Sequence, residues 1–213
     1  QPGGQRTNRV VLVMRCRSMD GRVCDNSVIN VVGVAGKWFA GCGVSRILCW
    51  FHRLQYMSSS TTLASSQFTF RVTQNNPSGM TLSGTNTYVL GAPDAQTVVI
   101  VDPGFHDGAA EHADAVAEVV GDRSVELILV THHHFDHTGA VETFHERFGA
   151  PVRAVDEQWC RQANVLVDNE VISAAGTQIR VVATPGHTSD SVSFYLPEDD
   201  TAPHPGGTVL TGD

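Results

Sequence analysis

The chain has 213 residues, 41% of them hydrophobic and 17% charged, with a net charge of −8. That is enough sequence for one medium-sized domain with a real core, and it excludes wholesale disorder. The net value conceals an asymmetry: residues 1–56 carry eight Lys/Arg against two Asp/Glu, whereas residues 57–213 carry six against twenty. The acidic part therefore disfavours nucleic acid as a partner, because it lacks the cationic charge of a broad phosphate-binding face.

Residues 1–56 begin at Gln1 and show no sustained period of 2 or 3.6, so no fold is assigned to them. Cys16, Cys24, Cys42 and Cys49 fall here at intervals that make no C-x-x-C pair, which excludes a paired zinc ribbon. Only Cys160 lies in the remainder, where a disulfide scaffold would be needed, so the body of the chain is read as cytoplasmic. Val28 to Phe51 is apolar, but Lys37 and Arg46 interrupt it and Gly33, Gly36, Gly41 and Gly43 recur. It is too broken for the ~20 residues of a membrane span, and it is a poor signal peptide. Met57 opens MSSSTTLASS, a flexible linker or a genuine polypeptide start. The second reading is preferred, with 1–56 outside the domain, 57–67 a Ser/Thr-rich linker or true N-terminus, and 68–213 the functional domain.

From Phe68 the patterns become legible. Phe68, Phe70 and Val72 alternate with polar residues as a half-buried strand; Thr87–Leu90 is a second strand; Thr97–Val101 is a continuous apolar strand ending in Asp102-Pro103-Gly104. These predict a β-meander. Apolar residues at 109, 113, 116, 117 and 120 predict a helix over Ala109–Val120, with Glu111 and Asp114 near its positive end and Gly121 to stop it. A buried strand follows at Val125–Thr131. Val141, Phe144, His145 and Phe148 predict a second helix, ended by Gly149 and Pro151, on which His145 is a surface or packing residue. Val152–Val155 is a short strand, Asp156 a helix N-cap and Glu157–Ala163 a short helix whose Cys160 is a core residue. Strands at Glu170–Ser173, Gln178–Thr184, Ser191–Leu196 and Thr208–Thr211 complete a mixed α/β order that favours layered sheets over a doubly wound parallel one.

Chemistry concentrates at three strand ends: Thr131–Gly139 (THHHFDHTG), Thr184–Thr188 (TPGHT) and Thr211–Asp213 (TGD). His and Asp side chains presented from rigid strand ends suit a metal site, and the spacing H-x-H-x-D-H differs from an uninterrupted histidine tag. Pro185 and Gly186 allow a tight turn that presents His187, and Gly212 allows close backbone approach before Asp213.

With the VDPG strand end at Val101–Gly104, the TLSGTNTYVLG stretch at Thr81–Gly91 and TPGHTSDSVSF, these motifs resemble the metallo-β-lactamase-fold hydrolase superfamily, in its lactamase-like, glyoxalase II-like branch. The resemblance spans residues 68–213. It implies a four-layered αββα sandwich binding two zinc ions, with iron or manganese as alternatives for the same donors. His132, His134 and His187 would hold one ion, Asp136 and His137 the second, and Asp213 would bridge them. His133 has no role in that pattern, and Asp102 would support the ligand loop by hydrogen bonding. The implied reaction is hydrolysis of an ester-like, thioester or phosphodiester bond in a small-molecule substrate by metal-bound hydroxide, which Asp136 would orient as a catalytic residue. Alternatives are an endoribonuclease of the lactamase-like group and a non-catalytic, metal-stabilised binding domain. The superfamily pattern continues with a further histidine ligand and the rest of the sandwich, which do not follow Asp213 here. The expectation is thus a C-terminally incomplete fold that binds metal weakly and turns over poorly.

Overall fold

The computed structural model describes the backbone of three strands among the first 61 residues, and residues 62–200 and 206–213 in full. The chain divides into two compact units, Gln1–Gln55 and Tyr56–Asp213. The first contains β1 (Asn8–Met14), β2 (Ser27–Val34) and β3 (Lys37–Ala40) in an antiparallel sheet of that order. The sequence pattern assigned no fold here, because the valine-rich runs of β1 and β2 do not alternate. Their β-branched content nonetheless suits paired strands. Cys16, Cys24, Cys42 and Cys49 lie outside the described residues, as do residues 57–61.

The second unit is built on a six-stranded sheet, β4 (Thr62–Ala64), β5 (Thr69–Thr73), β6 (Asn86–Leu90), β7 (Thr97–Val101), β8 (Ser124–Leu129) and β9 (Val152–Arg153), in that order. β4 to β7 pair antiparallel, whereas β8 and β9 join in parallel. The expected meander is thus β5-β6-β7. Within the Ser/Thr-rich stretch, Thr62–Ala64 pairs with Phe70–Val72, and the Ser66 hydroxyl donates to Asp199. A four-stranded antiparallel sheet follows, β10 (Val171–Ala174), β11 (Thr177–Ala183), β12 (Val192–Leu196) and β13 (Thr208–Leu210).

The parallel β7–β8 pair needs a crossover, supplied by α1 (Ala109–Val120). After β8 come the single turn α2 (Phe135–Thr138) and α3 (Val141–Phe148), which ends at Gly149 with φ 63°. The short helix expected over Glu157–Ala163 is only a 3₁₀ turn, Glu157–Trp159, because the chain returns at once to pair Arg161 with Val152. Asp156 caps it as expected, accepting from the Gln158 N–H at 3.1 Å.

The continuous apolar run of β7 is explained by burial on both faces. Val98 and Ile100 enter a core with Val116 of α1 and Phe144 of α3, while Val99 and Val101 enter a second core with Ile179, Val181 and Phe194. Ile128 and its neighbours Leu127 and Leu129 divide in the same way on β8. Helices, mixed sheet and antiparallel sheet thus form three successive layers, with the two sheets face to face. Among the described residues no helix follows the 3₁₀ turn, so the fourth layer of the expected αββα sandwich is not part of the described fold. Cys160 is a free thiol packed partly against the helix-side core.

Candidate metal centre

The C-terminal ends of β7 and β8 are cross-linked before any ligand is placed. The Asp102 N–H donates to Leu129 O at 2.9 Å, Gly104 N to His137 O at 3.3 Å, and Ala140 N to Gly104 O at 2.9 Å. The turn after β7 therefore cradles the His-rich loop after β8. Gly139 is required by space: a Cβ there would lie 2.5 Å from Phe135 O and 2.8 Å from His106 N. Gly212 meets the close approach expected of it, since a Cβ would lie 2.6 Å from Thr131 Oγ1, and its φ of 69° favours glycine.

Four imidazoles and the Asp213 carboxylate converge from the three strand ends, with the Asp136 carboxylate at their edge. His132 Nε2 is 3.2 Å from His134 Nδ1, which is 2.9 Å from His187 Nε2. Beside this trio, His137 Nε2 is 3.3 Å from Asp213 Oδ1 and 3.6 Å from Asp136 Oδ2, and His187 Nε2 is 3.7 Å from Asp213 Oδ2. Two three-residue groups have donor atoms within 4.8 Å of one another, His132/His134/His187 and His132/His137/Asp213. Asp213 touches both sides. Asp136 stands at the edge, near His137 alone. His145 lies apart, its Nδ1 2.8 Å from Ala150 O, as expected of a packing residue. His133 points away from the trio to Asp190 Oδ1 at 2.6 Å, so this pair ties the His-rich loop to the loop carrying His187.

Asp102, only 2% exposed, organises His132 and His137 from beneath. Its Oδ1 accepts from the Thr131 N–H at 2.8 Å, and its Oδ2 accepts from the Thr131 hydroxyl at 2.8 Å and stands 2.8 Å from His137 Nδ1. The Thr131 hydroxyl has one proton, and it goes to Asp102. Its oxygen, 3.0 Å from His132 Nδ1, therefore accepts from that nitrogen. Both rings thus carry a proton on Nδ1 and turn Nε2 toward the site, where His132 offers a lone pair and His137 would offer one once its Nε2 proton is displaced.

Electrostatics follow from the same contacts. Burial, then the neighbouring His137, push the His132 pKa down to about 4, so its ring is neutral at pH 7. For His137 burial opposes the charged form, but the Asp102 carboxylate, aided by Asp136 and Asp213, outweighs it and raises the pKa to about 9. In the metal-free protein His137 is thus a cation surrounded by carboxylates, and a divalent cation would replace its proton.

The residues fit metal ions on two observations. His137 Nε2 is buried without a hydrogen-bond partner, although the Asp213 and Asp136 carboxylates stand near. Such an orphan calls for an explanation. The nitrogen separations of 3.2 and 2.9 Å in the His trio also resemble the edge of a tetrahedron with ligand bonds of ~2.0–2.1 Å, about 3.3 Å.

Supporting residues escaped the sequence reading because nothing in their local spacing marks them. Gln74 is buried, and its side-chain amide donates to Phe105 O at 2.9 Å and Asp107 O at 3.1 Å while accepting from the Phe105 N–H at 2.7 Å. It clamps the loop after Asp102. Thr87 and His112 lie behind Asp102 in the same way. The apolar stripe expected on α1 included Ala117, whereas the buried face carries His112 and leaves Ala117 half-buried.

A sequence model of the metallo-beta-lactamase superfamily matches residues 80–202, which contain Asp102, the His-rich loop and His187. The chain belongs to the metallo-beta-lactamase superfamily. The atrochrysone carboxyl ACP thioesterase of Aspergillus chevalieri is 33% identical over 146 residues, 67% of this chain and 44% of that protein. The hydroxyacylglutathione hydrolase of Idiomarina loihiensis is 34% identical over 105 residues, 49% of this chain and 40% of that protein. The chain thus spans less than half the length of these curated relatives. Among solved structures, a beta-lactamase from Chitinophaga pinensis covers 75% of this chain and 64% of its own at a TM-score of 0.55 and 15% identity, a likeness of fold alone. The superfamily membership expected from the motifs is thereby established, with the mixed sheet packed on an antiparallel one.

Proposed function

We propose that the protein is a metal-dependent hydrolase of the superfamily, acting on a thioester or ester-like bond of a small-molecule substrate. The observation that carries this reading is the convergence of two donor groups that share His132, one with His134 and His187 and the other with His137 and Asp213. In the proposal His132, His134 and His187 would hold one zinc ion, His137 and Asp136 would hold a second, and Asp213, within reach of His137 and His187 alike, would be a donor available to both. Iron or manganese would suit the same donors. When bound, such a pair supplies Lewis acidity and lowers the pKa of water toward ~7.

The chain's own residues orient and hold protons around that chemistry. Asp102 and Thr131 keep the Nε2 atoms of His137 and His132 facing the site. Asp136, whose Oδ2 lies 3.6 Å from His137 Nε2, would orient the attacking water and accept its proton. Phe135, 68% exposed beside the ligands and edge-on to Trp159 with ring centroids 6.4 Å apart, offers apolar surface to an acyl group. Water adds to the acyl carbon, the carbon–sulfur or carbon–oxygen bond breaks, and a carboxylate and a thiol or alcohol leave. The names of both relatives above, a thioesterase and a hydroxyacylglutathione hydrolase, support the thioester as first choice.

The test is a zinc titration followed by a panel of acyl-pantetheine, acylglutathione, phosphodiester, RNA and lactam substrates with the zinc-loaded chain. Zinc binding with turnover, however slow, restricted to the thioesters is the expected result; zinc binding without turnover of any substrate would replace it with a metal-stabilised binding domain. Asp136→Asn is expected to lose turnover by ~10²–10⁴-fold. Full turnover at full metal occupancy would remove Asp136 from its role.

A further inference from the structure

We propose that His112, on the buried face of α1, is a positioning residue for the metal centre, acting through the Thr87 hydroxyl on the backbone of Asp102. The proposal rests on the metal reading above and extends it to a residue on a helix behind the site.

His112 is 3% exposed, and its Nε2 lies 2.7 Å from Thr87 Oγ1. The Thr87 hydroxyl, itself fully buried, donates to the Asp102 carbonyl at 2.6 Å. Its single proton is committed there, so its oxygen accepts from His112, which fixes the neutral ring with Nε2 protonated. The other nitrogen, Nδ1, is buried with no hydrogen-bond partner. Packing alone does not account for a histidine at this position. An apolar side chain would fill the space against Phe144, whose ring centroid is 5.7 Å away, and leave no orphan.

Asp102 is the residue that needs such support. Its φ of 56° lies in the left-handed region, sparsely occupied by residues other than glycine. One side of this backbone is tied through the Asp102 N–H to Leu129 O, and the other through its carbonyl to Thr87. The carboxylate held in between fixes His137 directly and His132 through Thr131. Two buried threonine hydroxyls therefore work in series: His112 supports Thr87, Thr87 orients Asp102, and Asp102 with Thr131 orients the ligand rings. A metal site tolerates only small errors in ligand placement, so slack at the Asp102 carbonyl is read out as metal affinity.

The test uses the full chain and compares Thr87→Ser, Thr87→Val, His112→Phe and the double variant Thr87→Val/His112→Phe. Zinc affinity is measured by chelator competition, metal-free stability by urea denaturation, and the His112 tautomer by nitrogen NMR. Thr87→Ser should bind zinc as the parent does. Thr87→Val and His112→Phe should each lose ~10-fold or more in affinity for one ion, and the double variant should lose no more than the larger single loss. The NMR should show His112 protonated on Nε2. Losses that multiply in the double variant, or stability changes with unaltered zinc affinity, would reduce His112 to a packing residue and overturn the proposal, as would the Nδ1 tautomer. Should His112→Phe fail to fold, Thr87→Val against Thr87→Ser reads the same relay. A parent chain that binds no zinc would remove the metal reading and this proposal together, whereas zinc-binding parent and variants alike would remove only the relay.

Discussion

Replacing Asp102 with Asn isolates the charge that holds the ligand loop, at nearly constant shape. The amide oxygen can still accept from the Thr131 N–H, now at 2.8 Å, but an NH2 group would face His137 Nδ1, also at 2.8 Å. Two donors cannot share that contact, so the neutral His137 ring is driven to carry its proton on Nε2, the atom that faces the site. Metal affinity should fall by ~10–100-fold. Metal-free stability should change its pH dependence as well. The rise of the His137 pKa from 6.5 to about 9 corresponds to about 3 kcal/mol, and Asp102 is the largest contributor that favours the charged ring. Because the folded pKa lies above the unfolded one, this stabilisation is fully present below pH 6.5 and lost as pH rises through 9. Urea denaturation of the chelator-treated parent should therefore show stability declining between those values by about 3 kcal/mol from this group. Asp102→Asn should flatten that decline and lower stability at pH 6.5 by a similar amount. An Asn variant with parental zinc affinity and the same decline would refute the account of Asp102.

Three further outcomes are expected. His112, whose pKa burial lowers to about 4, binds its proton more readily in the unfolded chain. The metal-free parent should therefore lose about 3 kcal/mol from this group as pH falls from 6.5 toward 4, a loss that His112→Phe does not share in the same urea series. Phe144→Ala removes a fully buried ring from the helix-side core and should cost ~3–5 kcal/mol by denaturant unfolding, while leaving the ligand set intact. Gly139→Ala is allowed by φ (−59°) yet excluded by Phe135 O and His106 N, so it should cost ~1–3 kcal/mol and weaken zinc binding in chelator competition, because the turn carrying Asp136 and His137 must shift.

Local pattern determined much of this protein. The continuous run Thr97–Val101, the stripe that makes α1, the helix that stops at Gly149 and the four strands from Val171 onward are all written in residue spacing and punctuation, which act over a few residues. The candidate donors were legible too, since His and Asp at strand ends suit a metal site by composition. Tertiary structure decided what spacing cannot encode. It brought His187 and Asp213 to His134 and His137 from far along the chain, past several helices and strands, and sent His133 to Asp190 although it sits between two candidate ligands. It also ended the helix expected over Glu157–Ala163 after one turn, where pairing of Arg161 with Val152 outcompeted local propensity. Above all, it placed Gln74, Thr87, His112 and Thr131 behind the ligands. Each looks ordinary in sequence, because a buried hydrogen bond depends on who lies opposite in space, and that is decided only when the two sheets and the helices have packed.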